Sequence, residues 1–218
     1  MAEINLLQHY PQSKRNIDDR VQRVDDEVRE VSMRFGEEYF DGDRIYGYGG
    51  YSYHPRFWTD TVKFIRDHYG LAADTRVLDV GCAKGFMMHD FKLLMPEMDI
   101  RGIDISEYAV ANAIETMRPH IEVGNARELP FDDDSFDLVL AINVVHNLPL
   151  DECKQALREL QRVSRGQAFT MVDAWRTEEE RARLENWVLT ANTYMHVDDW
   201  IELFNDIGYT GDYYWFTA

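Results

Sequence analysis

The chain has 218 residues, enough for one α/β domain with an appendage and for burial of well over half of the surface its unfolded form exposes. Its 40 acids against 23 bases give a formal charge of −17, which argues against a surface that neutralises a nucleic-acid backbone or an anionic membrane. Two cysteines, Cys82 and Cys153, cannot build a disulfide framework. Residues 1–15 lack the apolar core of a signal peptide, and no apolar run approaches the ~20 residues that cross a bilayer, so a reducing cytoplasm is the expected compartment.

In chain order, apolar residues recur at Ile17, Val21, Val24, Val28, Val31 and Phe35, which predicts one amphipathic helix. The same spacing matches heptads, so a homodimer through this N-terminal helix stands beside packing on the chain's own domain. Residues 36–55 mix glycines with Tyr39, Phe40, Tyr46, Tyr48, Tyr51 and Tyr53 and read as a long ordered loop. A helix is expected over 55–69, started by Pro55 and stopped by Gly70. From residue 75 the pattern alternates: strands at 76–80, 99–104, 120–123, 136–142 and 167–173, helices at 85–95, 106–118 and 151–163. This predicts a Rossmann-like, doubly wound, mostly parallel sheet with helices on both faces. Helices at 178–189 and 197–207 and a strand at 212–217 complete the chain. Residues 1–72 are taken as an N-terminal helical cap with a Tyr/Gly-rich lid, and 73–218 as the binding core.

The chemistry concentrates at strand ends. In an open parallel sheet the first strand-to-helix turn cradles a ligand, and the segment Val77-Leu-Asp-Val-Gly-Cys-Ala-Lys-Gly85 supplies such a turn. Glycines at 81 and 85 can take positive φ and admit a ligand to the main chain. Asp104 closes the next strand, where a carboxylate can accept both ribose hydroxyls, and Ser106 is the better candidate for capping the helix that follows. Ala83 and Lys84 break the Gly-x-Gly-x-x-Gly dinucleotide fingerprint, which moves NAD down the order of candidate ligands.

Four segments in register, the turn at 77–85, Gly102-Ile-Asp-Ile-Ser106, Gly124-Asn-Ala-Arg-Glu-Leu-Pro-Phe131 and Ser135-Phe-Asp-Leu-Val-Leu-Ala-Ile-Asn143, resemble class I SAM-dependent methyltransferases, in particular their small-molecule, UbiE-like branch. The resemblance covers about 74–173. It implies S-adenosyl-L-methionine (SAM) as cofactor and S-adenosylhomocysteine as product. It further implies that Asp79 and the turn Gly81, Cys82, Ala83 and Gly85 hold the methionine moiety, Asp104 the ribose, Ile105 an adenine face, and Asn125 and Ala126 the adenine edge. Asn143 would lie near the methionyl part. Ala83 and Asn125 depart from the family pattern, which carries Gly and Asp there. A methyl at 83 is tolerable at negative φ, and the Asn125 Oδ1 can accept from an adenine amino group.

Transfer from a sulfonium needs in-line positioning, and a base only where the acceptor must lose a proton. His146, just past Asn143, is the candidate base. Tyr46, Tyr53 and Arg56 are candidate cofactor contacts from the lid. Asp173, Trp175 and Arg176, then Trp187, Tyr194, His196 and Trp200, are candidate substrate walls. Scattered histidines give no expectation of a metal site. The expected activity is methyl transfer to a small-molecule acceptor, oxygen before carbon or nitrogen. SAM binding without methyl transfer and an NAD-dependent oxidoreductase are the rivals.

Overall fold

Apolar side chains that alternate along each strand need cover on both faces, and the chain satisfies this with a sheet sandwiched between two helical layers. The computed structural model describes residues 1–12 and 15–218. Its elements are helices α1 (Ile17–Arg23), α2 (Asp26–Ser32), α3 (Glu37–Asp41) and α4 (Pro55–Tyr69), then strand β1 (Arg76–Val80), α5 (Phe86–Leu94), β2 (Asp99–Asp104), α6 (Glu107–Ala111) and β3 (Ile121–Val123). They continue with β4 (Leu138–Ile142), α7 (Leu150–Val163), β5 (Ala168–Trp175), α8 (Glu178–Trp187), β6 (Met195–His196), α9 (Val197–Ile207) and β7 (Asp212–Phe216).

The strand order is β3-β2-β1-β4-β5-β6, with β7 also paired to β5, and every pairing is parallel. Alternation divides the core. Val77, Leu138 and Leu140 pack with Ile65, Met88 and Phe91 on one face, while Leu78, Val80, Val139 and Ala141 pack with Leu157, Leu160 and Trp200 on the other. Strand order reverses beside β1, between β2 and β4, so the crevice opens over their carboxyl ends. α4 begins and ends as expected: the His54 Nδ1 accepts from the Arg56 N–H at 3.2 Å, Pro55 sits in the first turn, and Gly70 stops it at φ +62°.

Four departures have local causes. The helix expected across 17–35 breaks at Val24 and Asp25, where both residues are extended and the Asp25 carboxylate caps α2 by accepting from the Val28 N–H at 2.9 Å. Arg20 and Val28 are buried while Val21 is 52% exposed, so the apolar spacing is no single seam; α1 instead packs on α8. The 36–55 loop contains α3. The helix expected at 106–118 ends at Ala111, and the Ile114 N–H donates to the Lys84 carbonyl at 2.9 Å. Finally, the first residues run beside β7: the Ile4 N–H donates to the Tyr213 carbonyl at 2.8 Å and the Tyr213 N–H to the Ala2 carbonyl at 3.0 Å, covering its edge. No described helix is long and apolar enough to cross a membrane.

Candidate functional site

A cavity of about 740 Å³ lies over the crevice, within the roughly 300–1,000 Å³ range of ligand pockets. One half of it is made by strand ends. Gly81 follows β1 at φ +75°, and a Cβ there would meet the Val144 side chain at 2.2 Å, so only glycine fits. Ala83 adopts φ +49°, which corrects the expectation of negative φ. Its left-handed backbone is held because its N–H donates to Asp104 Oδ2 at 2.7 Å.

Asp104 is therefore the organiser of this half. Its second oxygen accepts from the Ser106 N–H at 2.9 Å, and the Ser106 hydroxyl caps α6 as expected, accepting from the Ala109 N–H at 3.0 Å. Burial raises the Asp104 pKa while those two N–H bonds pull it back. Each oxygen keeps a lone-pair direction beyond its N–H partner. Beside it Ile105 is 52% exposed, an apolar face left open on the cavity wall.

Asn125 and Ala126 also line the cavity, but Asn125 Oδ1 already accepts from the Arg127 N–H at 3.0 Å and from Arg127 Nε at 3.2 Å. Its Nδ2 is the amide group left for a ligand, contrary to the acceptor role expected from the sequence. Asn143 lines the opposite side at φ +58°, a conformation asparagine tolerates better than most residues. Its own carbonyl accepts from Asn147 Nδ2 at 3.1 Å.

Five expected cofactor residues do not reach the cavity wall. Asp79 and Cys82 lie buried beneath the turn, where burial and the Asp104 charge push the Asp79 carboxyl up to about 8. Gly85 begins α5 at φ +77°, and a Cβ there would meet Ile121 Cδ1 at 2.6 Å, so this glycine serves the packing of helix against strand. Tyr53 turns away, its hydroxyl donating to Asp90 Oδ1 at 2.5 Å. Tyr46 belongs to the loop after α3, its N–H donating to the Asp43 carbonyl at 3.0 Å. Arg56 does line the cavity, its guanidinium 4.6 Å from the Phe57 ring centroid.

The Tyr/Gly-rich segment reaches the cavity with other rings than those expected. Tyr39, Phe40, Tyr48, Gly49 and Gly50 line the cavity. Lys84 is 6% exposed and donates from Nζ to Asp41 Oδ2 at 2.6 Å and to the Tyr51 carbonyl at 3.1 Å. The Tyr108 hydroxyl donates to the same Asp41 carboxylate at 2.7 Å, and the Ser106 hydroxyl donates to the Phe35 carbonyl at 2.5 Å. The segment is thus pinned to the residues next to Ala83 and Ile105.

The other half of the cavity holds a buried acid and base. His146 sits in a 3-10 turn (Val145–Asn147), 4% exposed, and its Nδ1 accepts from the Asp173 N–H at 3.1 Å. That bond places the ring proton on Nε2, which faces Asp173 Oδ1 at 3.6 Å. Burial holds His146 down to about 3 and pushes Asp173 up to about 7, Arg15 pulling the latter back. Of the other proposed walls, Trp187 lines the cavity. Trp175 meets Tyr194 edge to face, Arg176 pairs with Glu3, His196 caps α9, and Trp200 is fully buried with Nε1 donating to the Asp173 carbonyl at 3.0 Å. Arg15, Tyr10, Thr190 and Phe216 complete the wall without a sequence signal, because they come from segments far apart in the chain.

A sequence family described as a methyltransferase domain matches residues 77–167. With the all-parallel sheet and the crevice over β1, this match supports a class I, SAM-dependent methyltransferase of Rossmann-like fold. Among individual proteins, the chain is 28% identical over 182 residues to the demethylmenaquinone methyltransferase of Listeria welshimeri, covering 78% of this chain and 70% of that one. It is 29% identical over 149 residues to the malonyl-[acyl-carrier protein] O-methyltransferase of Legionella pneumophila, covering 66% of this chain and 51% of that protein, so it spans about half of that relative's length. In fold it is similar to the geranyl diphosphate C-methyltransferase of Streptomyces coelicolor, solved with S-adenosyl-L-homocysteine (TM-score 0.52, 17% identity, 68% of this chain and 60% of that chain).

Proposed function

We propose that the protein transfers the methyl group of SAM to a small-molecule acceptor, at oxygen before carbon or nitrogen, and releases S-adenosylhomocysteine. The observation that carries this reading is one cavity with two unlike ends: Asp104 and exposed Ile105 at one, the buried His146–Asp173 pair at the other. The first end fits the cofactor, since the Asp104 oxygens retain acceptor capacity for ribose hydroxyls and Ile105 offers an apolar surface to a base. Asn125 Nδ2 and Ala126 are assigned to the adenine edge, and Gly81, Ala83, Asn143 and Arg56 to the methionine end. Asp79 lies below the turn at that end, its carboxyl pushed up to about 8 and so largely uncharged at neutral pH.

Bound SAM supplies an electrophilic sulfonium methyl. The chain supplies position, exclusion of water and a place for the acceptor's proton. The base role expected for His146 passes to its partner: Nδ1 is engaged by the Asp173 N–H, Nε2 carries the ring proton, and the Asp173 carboxylate is the group left to accept. His146 is then a positioning residue. When the acceptor is a hydroxyl, its proton would go to Asp173 as the oxygen takes up the methyl that SAM would supply, leaving S-adenosylhomocysteine.

Residues 1–72 are read as the cap that closes the cavity and 73–218 as the core that holds SAM. The cytoplasm is the proposed compartment, and neither nucleic acid nor membrane is a proposed partner. The test is mass spectrometry of the purified protein incubated with methyl-labelled SAM and fractionated metabolite pools. A labelled small product with S-adenosylhomocysteine is expected; label retained on SAM with every pool contradicts the reading.

A further inference from the structure

In a chain with 17 more acids than bases, arginines should find carboxylates, and most do: Arg23, Arg34, Arg127, Arg162, Arg165 and Arg181 each pair with Asp or Glu. Arg15 is different. It lines the cavity, its Nη1 donates to the Thr217 carbonyl at 3.3 Å, and its guanidinium lies 4.5 Å from the Phe216 ring centroid and 5.8 Å from that of Trp187. Among the described residues no carboxylate comes within ion-pair distance of it. Burial and the Arg183 charge pull its pKa down while the Asp173 charge supports it, so the cation is only partly compensated.

Its place in the fold decides which ligand it faces. The cofactor end rises from β1, β2 and β3, whereas Phe216 ends β7 and Asp173 lies on β5, the neighbouring strand. Arg15 therefore stands over the acceptor end. A guanidinium has five donors in a planar fork; one is used by Thr217, which leaves a pair for a carboxylate or phosphate. The walls around it are flat and aromatic, from Tyr39, Phe40, Tyr48, Trp187 and Phe216. Arg44 and Arg56 also line the cavity, exposed and without an ion-paired carboxylate among the described residues, so the mouth is cationic too.

We propose that the acceptor is a flat, anionic molecule whose anionic group is clamped by Arg15 and whose reacting hydroxyl is thereby directed to Asp173. The inference rests on the methyltransferase reading and adds the substrate class to it. Arg15 is the specificity residue. The anion completes an ion pair that the protein leaves open, and the aromatic walls take the planar body.

The test is calorimetric titration of the S-adenosylhomocysteine-saturated protein with the hydroxybenzoate isomers and phenyl phosphate, with the hydroxybenzoate methyl esters as neutral controls and tyramine as the cationic one. The anions are expected to bind roughly tenfold or more tightly than the esters or the amine, about 1.4 kcal/mol of discrimination. Arg15→Gln should erase that difference with S-adenosylhomocysteine affinity unchanged, and Arg15→Lys should restore part of it. Equal binding of esters and acids, tighter binding of the amine, binding of no probe, or discrimination surviving in Arg15→Gln overturns the anionic assignment. Failure of the wild type to bind S-adenosylhomocysteine overturns the methyltransferase reading instead.

Discussion

The two ends of the cavity are built by different means. The cofactor end comes from successive strand ends between Gly81 and Asn143 and is tied by backbone groups: the Ala83 and Ser106 N–H groups on Asp104, and positive φ at Gly81, Ala83 and Asn143. The acceptor end is assembled from side chains of Arg15, Tyr39, Tyr48, Asp173, Trp187 and Phe216, six separate places in the chain. The first depends on short stretches of chain around each strand end. The second depends on side chains, which can change without disturbing the sheet, and that is where substrate choice can vary.

The sharpest way to separate the two ends is Asp173→Asn. Loss of the proton acceptor should lower kcat about 10²- to 10⁴-fold, while S-adenosylhomocysteine affinity stays near that of the wild type. Because burial raises the Asp173 pKa to about 7, its carboxylate is ionised only above that pH, so wild-type kcat should rise through about pH 7 and the variant should lose this rise. A pH profile unchanged by the substitution would place the proton elsewhere.

Asp104→Ala should act on the other end, weakening SAM by roughly 2–4 kcal/mol because two hydrogen bonds to a charged acceptor are removed and the Ala83 N–H loses its partner. Calorimetry reads this directly, and an unchanged Kd would remove Asp104 from the ribose site. Next in size is the tie between lid and turn. Asp41→Ala leaves the Lys84 ammonium buried without its carboxylate, and about 1–3 kcal/mol of stability should go, the lower figure because Asp41 itself is partly exposed. Denaturant unfolding checks it, and adding Lys84→Met should recover much of the loss. Smallest is Ala83→Gly, which relieves a left-handed alanine and should raise stability by about 1 kcal/mol in the same measurement.

The sequence disclosed the parts whose physics is local. β1, β2, α4 and α9 fall at the expected residues because two- and four-residue periodicities, with Gly70 and Gly208 as stops of the two helices, are visible in a short window. The break after Val24 was hidden because the apolar spacing runs through it, and only the Asp25 cap shows that two helices are better than one. The place of Lys84 is hidden for a different reason: a lysine in a turn is usually solvated, and nothing within the turn signals that Asp41, 43 residues earlier, comes to meet it. Composition marks an aromatic segment without fixing which rings point inward: Tyr39 and Tyr48 line the cavity, whereas Tyr46 and Tyr53 do not. Arg15 carried no pattern at all; its meaning lies in the carboxylates it does not meet.

The central claim is that the crevice over β1 is a SAM pocket. Calorimetric titration of the purified chain with SAM and, separately, with NAD tests it most directly. One SAM bound per chain, with no heat from NAD, is the result this structure leads us to expect; NAD binding in the absence of SAM binding would contradict it.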